Sequence, residues 1–155
     1  SSVSIVSATG PDGGRAAMTA TSVTSLSLDP PSMLVCVNRN AWLYQTLRLG
    51  GDFCINVLGA DQIAMAQSCG GKSQGDARFA QGWGDGMGVP VLIGAPSAIV
   101  CGQVTRLALG THDVIVGHVK RVLVDDAQVD PLLYVNGAYA RVGEALYGGE
   151  FREVR

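Results

Sequence analysis

Apolar and small polar residues alternate along much of this chain, and the alternation has the two-residue period of a half-buried strand. Val3 and Ile5 alternate with serines over the first eight residues and predict an opening strand. Pro11-Asp12-Gly13-Gly14 then supplies turn chemistry, so the first two strands form a hairpin. A hydroxyl-rich extended segment follows, with Thr19, Thr21, Ser22, Thr24, Ser25 and Ser27 crowded together before Asp29-Pro30-Pro31. The prolines end that strand, and Met33-Leu34-Val35-Cys36-Val37 reads as a buried one. Asn40 is placed to cap a short helix through Leu47, which Gly50-Gly51 stops. In the next strand, residues 52–58, Phe53, Ile55 and Val57 face one way and Cys54 and Asn56 the other. Asp61 opens a second short helix that ends before Gly70-Gly71.

Residues 70–88 are glycine-rich, hold Lys72, Arg78, Phe79 and Trp83, and read as a long loop with room for one helical turn. A loop of this length inside a small domain is either functional or disordered. Two long alternating runs, residues 97–109 and 113–124, flank Gly110-Thr111-His112, and residues 132–142 form a last strand broken by Gly137. Antiparallel strands with two short helices, and no strand–helix–strand rhythm, predict a mainly β or α+β fold of barrel type. Neither a repeat nor a linker divides the 155 residues, so a single domain over residues 1–155 is expected.

Composition narrows the function. With 47% hydrophobic and 15% charged residues the chain can fill a core, and its low charge fits either a surface covered by a second subunit or a glycine- and alanine-rich monomer. A net charge of −2 leaves no basic footprint for nucleic acid. No apolar run approaches the ~20 residues of a membrane span. The visible N-terminus has no signal-peptide pattern, and Cys36, Cys54, Cys69 and Cys101 form no Cys-x-x-Cys pair, so a reduced, cytoplasmic protein is expected.

Familiar nucleotide and metal motifs are missing. Cys69-Gly70-Gly71-Lys72-Ser73 looks like the end of a phosphate-binding loop, but that loop needs glycine where the chain has Ala66. No Gly-x-Gly-x-x-Gly joins a strand to a helix, so no Rossmann dinucleotide site is expected. The two histidines have no cysteine or carboxylate cluster at zinc spacing. The hydroxyl cluster remains, and solvent, local backbone or a ligand with polar edges could each satisfy it.

The order Met-Thr-Ala-x-Ser, Ser-x-Ser-Leu-Asp-Pro-Pro and an apolar strand ending Cys-Val-Asn resembles the small flavin reductases, the reductase components of two-component flavin monooxygenases. Phe53-Cys54-Ile55-Asn56-Val57-Leu58, Ala77-Arg78-Phe79, Gly110-Thr111-His112 and Pro131-Leu132-Leu133-Tyr134 before Gly137 and Tyr139 continue the likeness in order. The resemblance implies an antiparallel split β-barrel with short flanking helices and a homodimer. It implies NAD(P)H:flavin oxidoreductase activity, with hydride passing from nicotinamide to flavin. Reduced flavin then diffuses to a separate monooxygenase that oxidises an aromatic compound.

FAD is the expected flavin and FMN the alternative; NADH is favoured over NADPH because no arginine pair marks a 2′-phosphate site. By the same resemblance Thr19, Ala20, Thr21 and Ser22 line the flavin, with Ser25 and Ser27 nearby and Asn38, Asn40 and Ala41 beside its tail. Lys72 and Arg78 offer charge for phosphate, Phe79 a ring for stacking, and His112, Asn136, Gly137 and Tyr139 approach the nicotinamide. The family pattern has Gly-Asp-His where this chain has Gly110-Thr111-His112, so a carboxylate there would have to come from Asp113. The alternatives are a flavin- or haem-binding barrel without reductase turnover, and a barrel with no cofactor.

Overall fold

A computed structural model describes residues 1–127 and 129–143. The strands are β1 (Ser4–Thr9), β2 (Arg15–Ala20), β3 (Val23–Leu28), β4 (Pro31–Asn38) and β5 (Asp52–Val57), with α1 (Trp42–Leu47) between the last two. After a 3₁₀ turn (Ala60–Gln62) come α2 (Ile63–Gln67), a wide turn (Ser68–Lys72) and a second 3₁₀ turn (Gly75–Phe79). Three hairpins complete the described chain: β6 (Trp83–Gly86) with β7 (Val89–Leu92), β8 (Ser97–Leu109) with β9 (His112–Val124), and β10 (Leu133–Val135) with β11 (Ala138–Ala140).

Seven strands form one sheet in the order β2-β1-β5-β8-β9-β4-β3. Its edge strands β2 and β3 are joined by only Thr21 and Ser22. Three Cα steps reach at most about 11 Å, whereas six flat inter-strand gaps span about 29 Å. The sheet must therefore curl until its edges meet, and this closure makes the split barrel. Ser22 extends the β3–β4 ladder by one rung, since its carbonyl accepts the Cys36 amide at 3.0 Å and its hydroxyl donates to the Cys36 carbonyl at 2.8 Å.

Alternation along β1 and β5 buries both of their faces. Val6, Ala8, Phe53 and Ile55 join Val35, Val37 and Ile115 in one core that Leu43 and Leu47 of α1 close. Val3 and Ile5 join Ala17, Ala66, Cys69, Phe79 and Leu92 in a second core beneath α2 and the turns that follow. Asn56 is buried with its polar atoms satisfied: it donates to the Ile5 carbonyl at 2.9 Å and accepts from the Leu92 amide at 2.8 Å. Gly117 is required for packing, because a Cβ there would lie 2.8 Å from both Cys101 and the Phe53 ring.

Three local expectations need correction. Asn40 is not the helix cap: Ala41 holds that place without a side-chain bond, and Asn40 gives its amide to Asn38 Oδ1 at 2.9 Å. Residues 70–88 are not one loop, since besides a 3₁₀ turn they contain β6. The last strand is a hairpin, turned by Asn136 (φ 54°) and Gly137 (φ 78°), the positive-φ pair a two-residue turn requires.

Candidate active site

Where β2 ends and the chain bends toward β3, a cavity of about 480 Å³ opens against the wide turn and the β10–β11 hairpin. Thr19, Ala20 and Thr21 form one wall, Gln67 and Gly70 another, and Tyr134, Gly137 and Tyr139 a third. Thr19 Oγ1 donates to the Ala66 carbonyl at 2.6 Å, which ties this wall to α2 and leaves the oxygen able to accept. Gly70 keeps the space open, since a Cβ there would lie 3.7 Å from Thr19 Oγ1 and 4.0 Å from the Tyr139 hydroxyl. The Tyr139 ring meets Tyr134 edge-on at 5.3 Å. Burial, and then the neighbouring Tyr134, push the Tyr139 phenol above its usual range, so it remains a hydrogen-bond donor at neutral pH.

The far side of the seam gathers a second group. Asn38 and His112 are paired across β4 and β9. Asn38 also shapes the entry to α1, accepting from Asn40 through its side chain and from Ala41 through its carbonyl, both at 2.9 Å. His112 is exposed, with Nδ1 2.8 Å from Thr111 Oγ1. Asp113 does not supply the missing acid beside it. Strand alternation turns its carboxylate inward, where it meets Arg39 Nη1 at 2.9 Å and Arg106 Nε at 3.4 Å. Burial works to raise the Asp113 pKa, but hydrogen bonds from Arg39 and Tyr44 and the two arginine charges outweigh it and hold the group below its ordinary range.

The loop residues divide. Lys72 is exposed and donates to Gln67 Oε1 at 2.9 Å. Arg78 is only 7% exposed, and its guanidinium donates to the carbonyls of Ser73 and Ala17 beneath the cavity wall. It also lies 5.3 Å from the centre of the Trp42 ring, next to Ala41. Arg78 has no carboxylate partner among the described residues. Phe79 departs from the stacking expectation: it is 6% exposed, packed on Trp83 at 4.8 Å and under the Arg15 guanidinium at 4.7 Å. Ser25 and Ser27 also depart, because they pair with Met33 and Ser32 well along β3. At ~3.3 Å per residue they stand roughly 10 and 16 Å from Ser22.

Sequence reasoning passed over Gln67, Gly70, Tyr134, Trp42 and Arg39. Gly70 had a signal in its glycine pair, which breaks a helix where a wall is needed; Gln67 and Arg39 had none. A second cavity of about 300 Å³ is ringed by Asp61, Asp125 and Asp130, charges that repel a phosphorylated ligand. Burial pushes the thiols of Cys54 and Cys101 up to about 12 and that of Cys69 up to about 11.

Residues 1–143 match the family described as flavin reductase like domain. The chain is 41% identical over 130 residues to the reductase component of an FADH(2)-dependent resorcinol hydroxylase from Rhizobium sp. (strain MTP-10005), covering 83% of this chain and 72% of that one. It is 42% identical over 141 residues to the FMN reductase (NADH) RutF 2 of Methylorubrum extorquens (strain PA1), covering 90% and 81%. Among solved structures it resembles BorF, the flavin reductase component of a bacterial two-component tryptophan halogenase. That likeness has a TM-score of 0.83 at 32% identity and covers 93% of this chain and 91% of that one.

Proposed function

The chain belongs to the flavin reductase like family, and on that premise we propose that it is an NADH-dependent flavin reductase whose reduced flavin leaves to serve a separate monooxygenase. The carrying observation is the cavity at the seam, where short hydroxyls, two glycines and two tyrosines meet in about 480 Å³. That volume and mixed lining suit a flat heteroaromatic ring with one polar edge. When bound, the flavin supplies at N5 the acceptor for a hydride leaving C4 of the nicotinamide.

The chain's own residues bind and orient. Thr19, Thr21 and the backbone of the Ala20–Ser22 bend meet the polar edge, and Tyr139 donates from the opposite wall. Asn38, Asn40 and Ala41 border the tail. Arg78 supplies positive charge for phosphate beside Trp42, with Lys72 farther out on the same segment. His112 would hydrogen-bond the carboxamide and so orient the nicotinamide, with Asn136 and Gly137 assigned to the same cofactor. The role of the protein in this reading is proximity and orientation.

FAD and FMN both enter the site in this reading, as the names of the Rhizobium and Methylorubrum relatives support for each. NADH is the donor, supported by the second of those names. The fold is one domain acting as a homodimer: Leu26 and Leu28 on β3 and Val104, Leu107 and Leu109 on β8 are exposed apolar side chains that a second copy would cover. No described helix is long and apolar enough to cross a membrane, and four unpaired cysteines suit the reducing cytoplasm.

The test is NADH oxidation with FAD, FMN and riboflavin, repeated with NADPH. Turnover stimulated by free flavin is expected. Tight flavin binding without turnover would return the chain to the non-reductase alternative.

A further inference from the structure

Arg39, between the two asparagines of the candidate site, binds four successive residues of the β8–β9 turn. Its amide donates to the Thr111 carbonyl at 3.0 Å. Its Nη1 donates to the His112 carbonyl at 3.2 Å and to Asp113 Oδ1 at 2.9 Å, and its Nη2 donates to the Gly110 carbonyl. We propose that Arg39 is a positioning residue for the nicotinamide step: it clamps the β8–β9 turn to the end of β4 and so fixes where the His112 imidazole stands.

His112 is exposed at the first position of β9, and among the described residues the one side-chain bond to its ring comes from the adjacent Thr111, which moves with it. Gly110 sits at φ 56°, so the tip is a sharp two-residue turn with a glycine hinge. A planar guanidinium can hold two carbonyls and a carboxylate together, whereas a lysine ammonium is a single point charge on a flexible stem. Asp113 anchors the clamp from below, because Arg106 also binds it at 3.4 Å and keeps it oriented.

The proposal rests on the reading of His112 given above, and the experiment separates the two. Anaerobic single-turnover reduction of bound flavin by NADH is followed for wild type, Arg39→Lys, His112→Ala and the double variant, with flavin KM and melting temperature measured in parallel. Arg39→Lys keeps a positive charge beside Asp113; Arg39→Gln is the second variant, should the first fail to fold. A loss of about tenfold in kcat/KM for NADH is expected, since a small misplacement of a positioning group slows the reaction on this scale. Flavin KM stays within about twofold, and the Arg39 change adds no more than about twofold once His112 is alanine. An equal loss with and without His112, or a lowered melting temperature at unchanged rates, overturns the clamp and makes Arg39 structural. Unchanged rates in His112→Ala overturn both readings, whereas a slow His112→Ala beside a normal Arg39 variant overturns only this one.

Discussion

Asn38 and His112 lie directly opposite one another on β4 and β9, so the bend that leads into α1 and the tip of the long hairpin share one rung of the barrel. Paired residues on antiparallel strands point to the same face. The asparagine that shapes residues 40 and 41 and the histidine proposed for the nicotinamide therefore stand side by side on one face.

His112→Ala should lower kcat/KM for NADH about five- to thirtyfold, the effect of losing one orienting hydrogen bond of roughly 1–2 kcal/mol. Flavin affinity should barely change. Steady-state kinetics with each substrate varied in turn checks the split, and a loss confined to flavin would move His112 out of the nicotinamide site.

Thr21 is exposed and lines the cavity without belonging to either core. Thr21→Phe should therefore fill the space and leave the fold intact. Flavin affinity should fall at least about tenfold, in keeping with the cost of overfilling a packed site. Fluorescence titration beside a melting curve tests this; normal binding would place the flavin elsewhere.

Arg78→Ala should act twice. It leaves the Ser73 and Ala17 carbonyls without their donor and uncovers Trp42, which should destabilise the fold by about 1–3 kcal/mol in urea unfolding. It should also weaken FAD and FMN more than riboflavin, because the lost charge faces phosphate. Equal weakening of all three would make Arg78 an anchor of the turn alone.

Asp113 yields a pH prediction with a definite sign. Its folded pKa lies below the ordinary carboxylate value, so its ion pairs stabilise the protein above that range. The stabilisation is lost as the pH falls through the folded pKa. Asp113→Asn should be less stable than wild type at neutral pH, and the gap should close in strong acid. Urea midpoints at a series of pH values decide it; a gap that does not depend on pH would mean that the arginines contribute nothing through charge.

Much of this barrel was legible in the sequence because the signals are local. Alternation in residues 97–109 and 113–124 identifies β8 and β9, and Pro11-Asp12-Gly13-Gly14 marks the first turn, each from neighbours alone. Thr19 and Thr21, singled out for the flavin, and Gly137 and Tyr139, singled out for the nicotinamide, lie around one cavity.

Other features depended on partners distant in the chain. Trp83–Gly86 reads Trp-Gly-Asp-Gly and has no alternation to reveal a strand. Its hairpin is held by contacts from elsewhere: Ser7 Oγ donates to the Pro90 carbonyl at 2.6 Å, and Asn56 takes the Leu92 amide. Phe79 looked free to stack and is buried between Arg15 and Trp83, while Arg39 gave no sign of the turn it grips. Periodicity reports which face of a segment is apolar. What covers that face, and which carbonyls are left for an arginine to bind, follows from closing the sheet at Thr21 and Ser22, and closure is a property of the whole barrel.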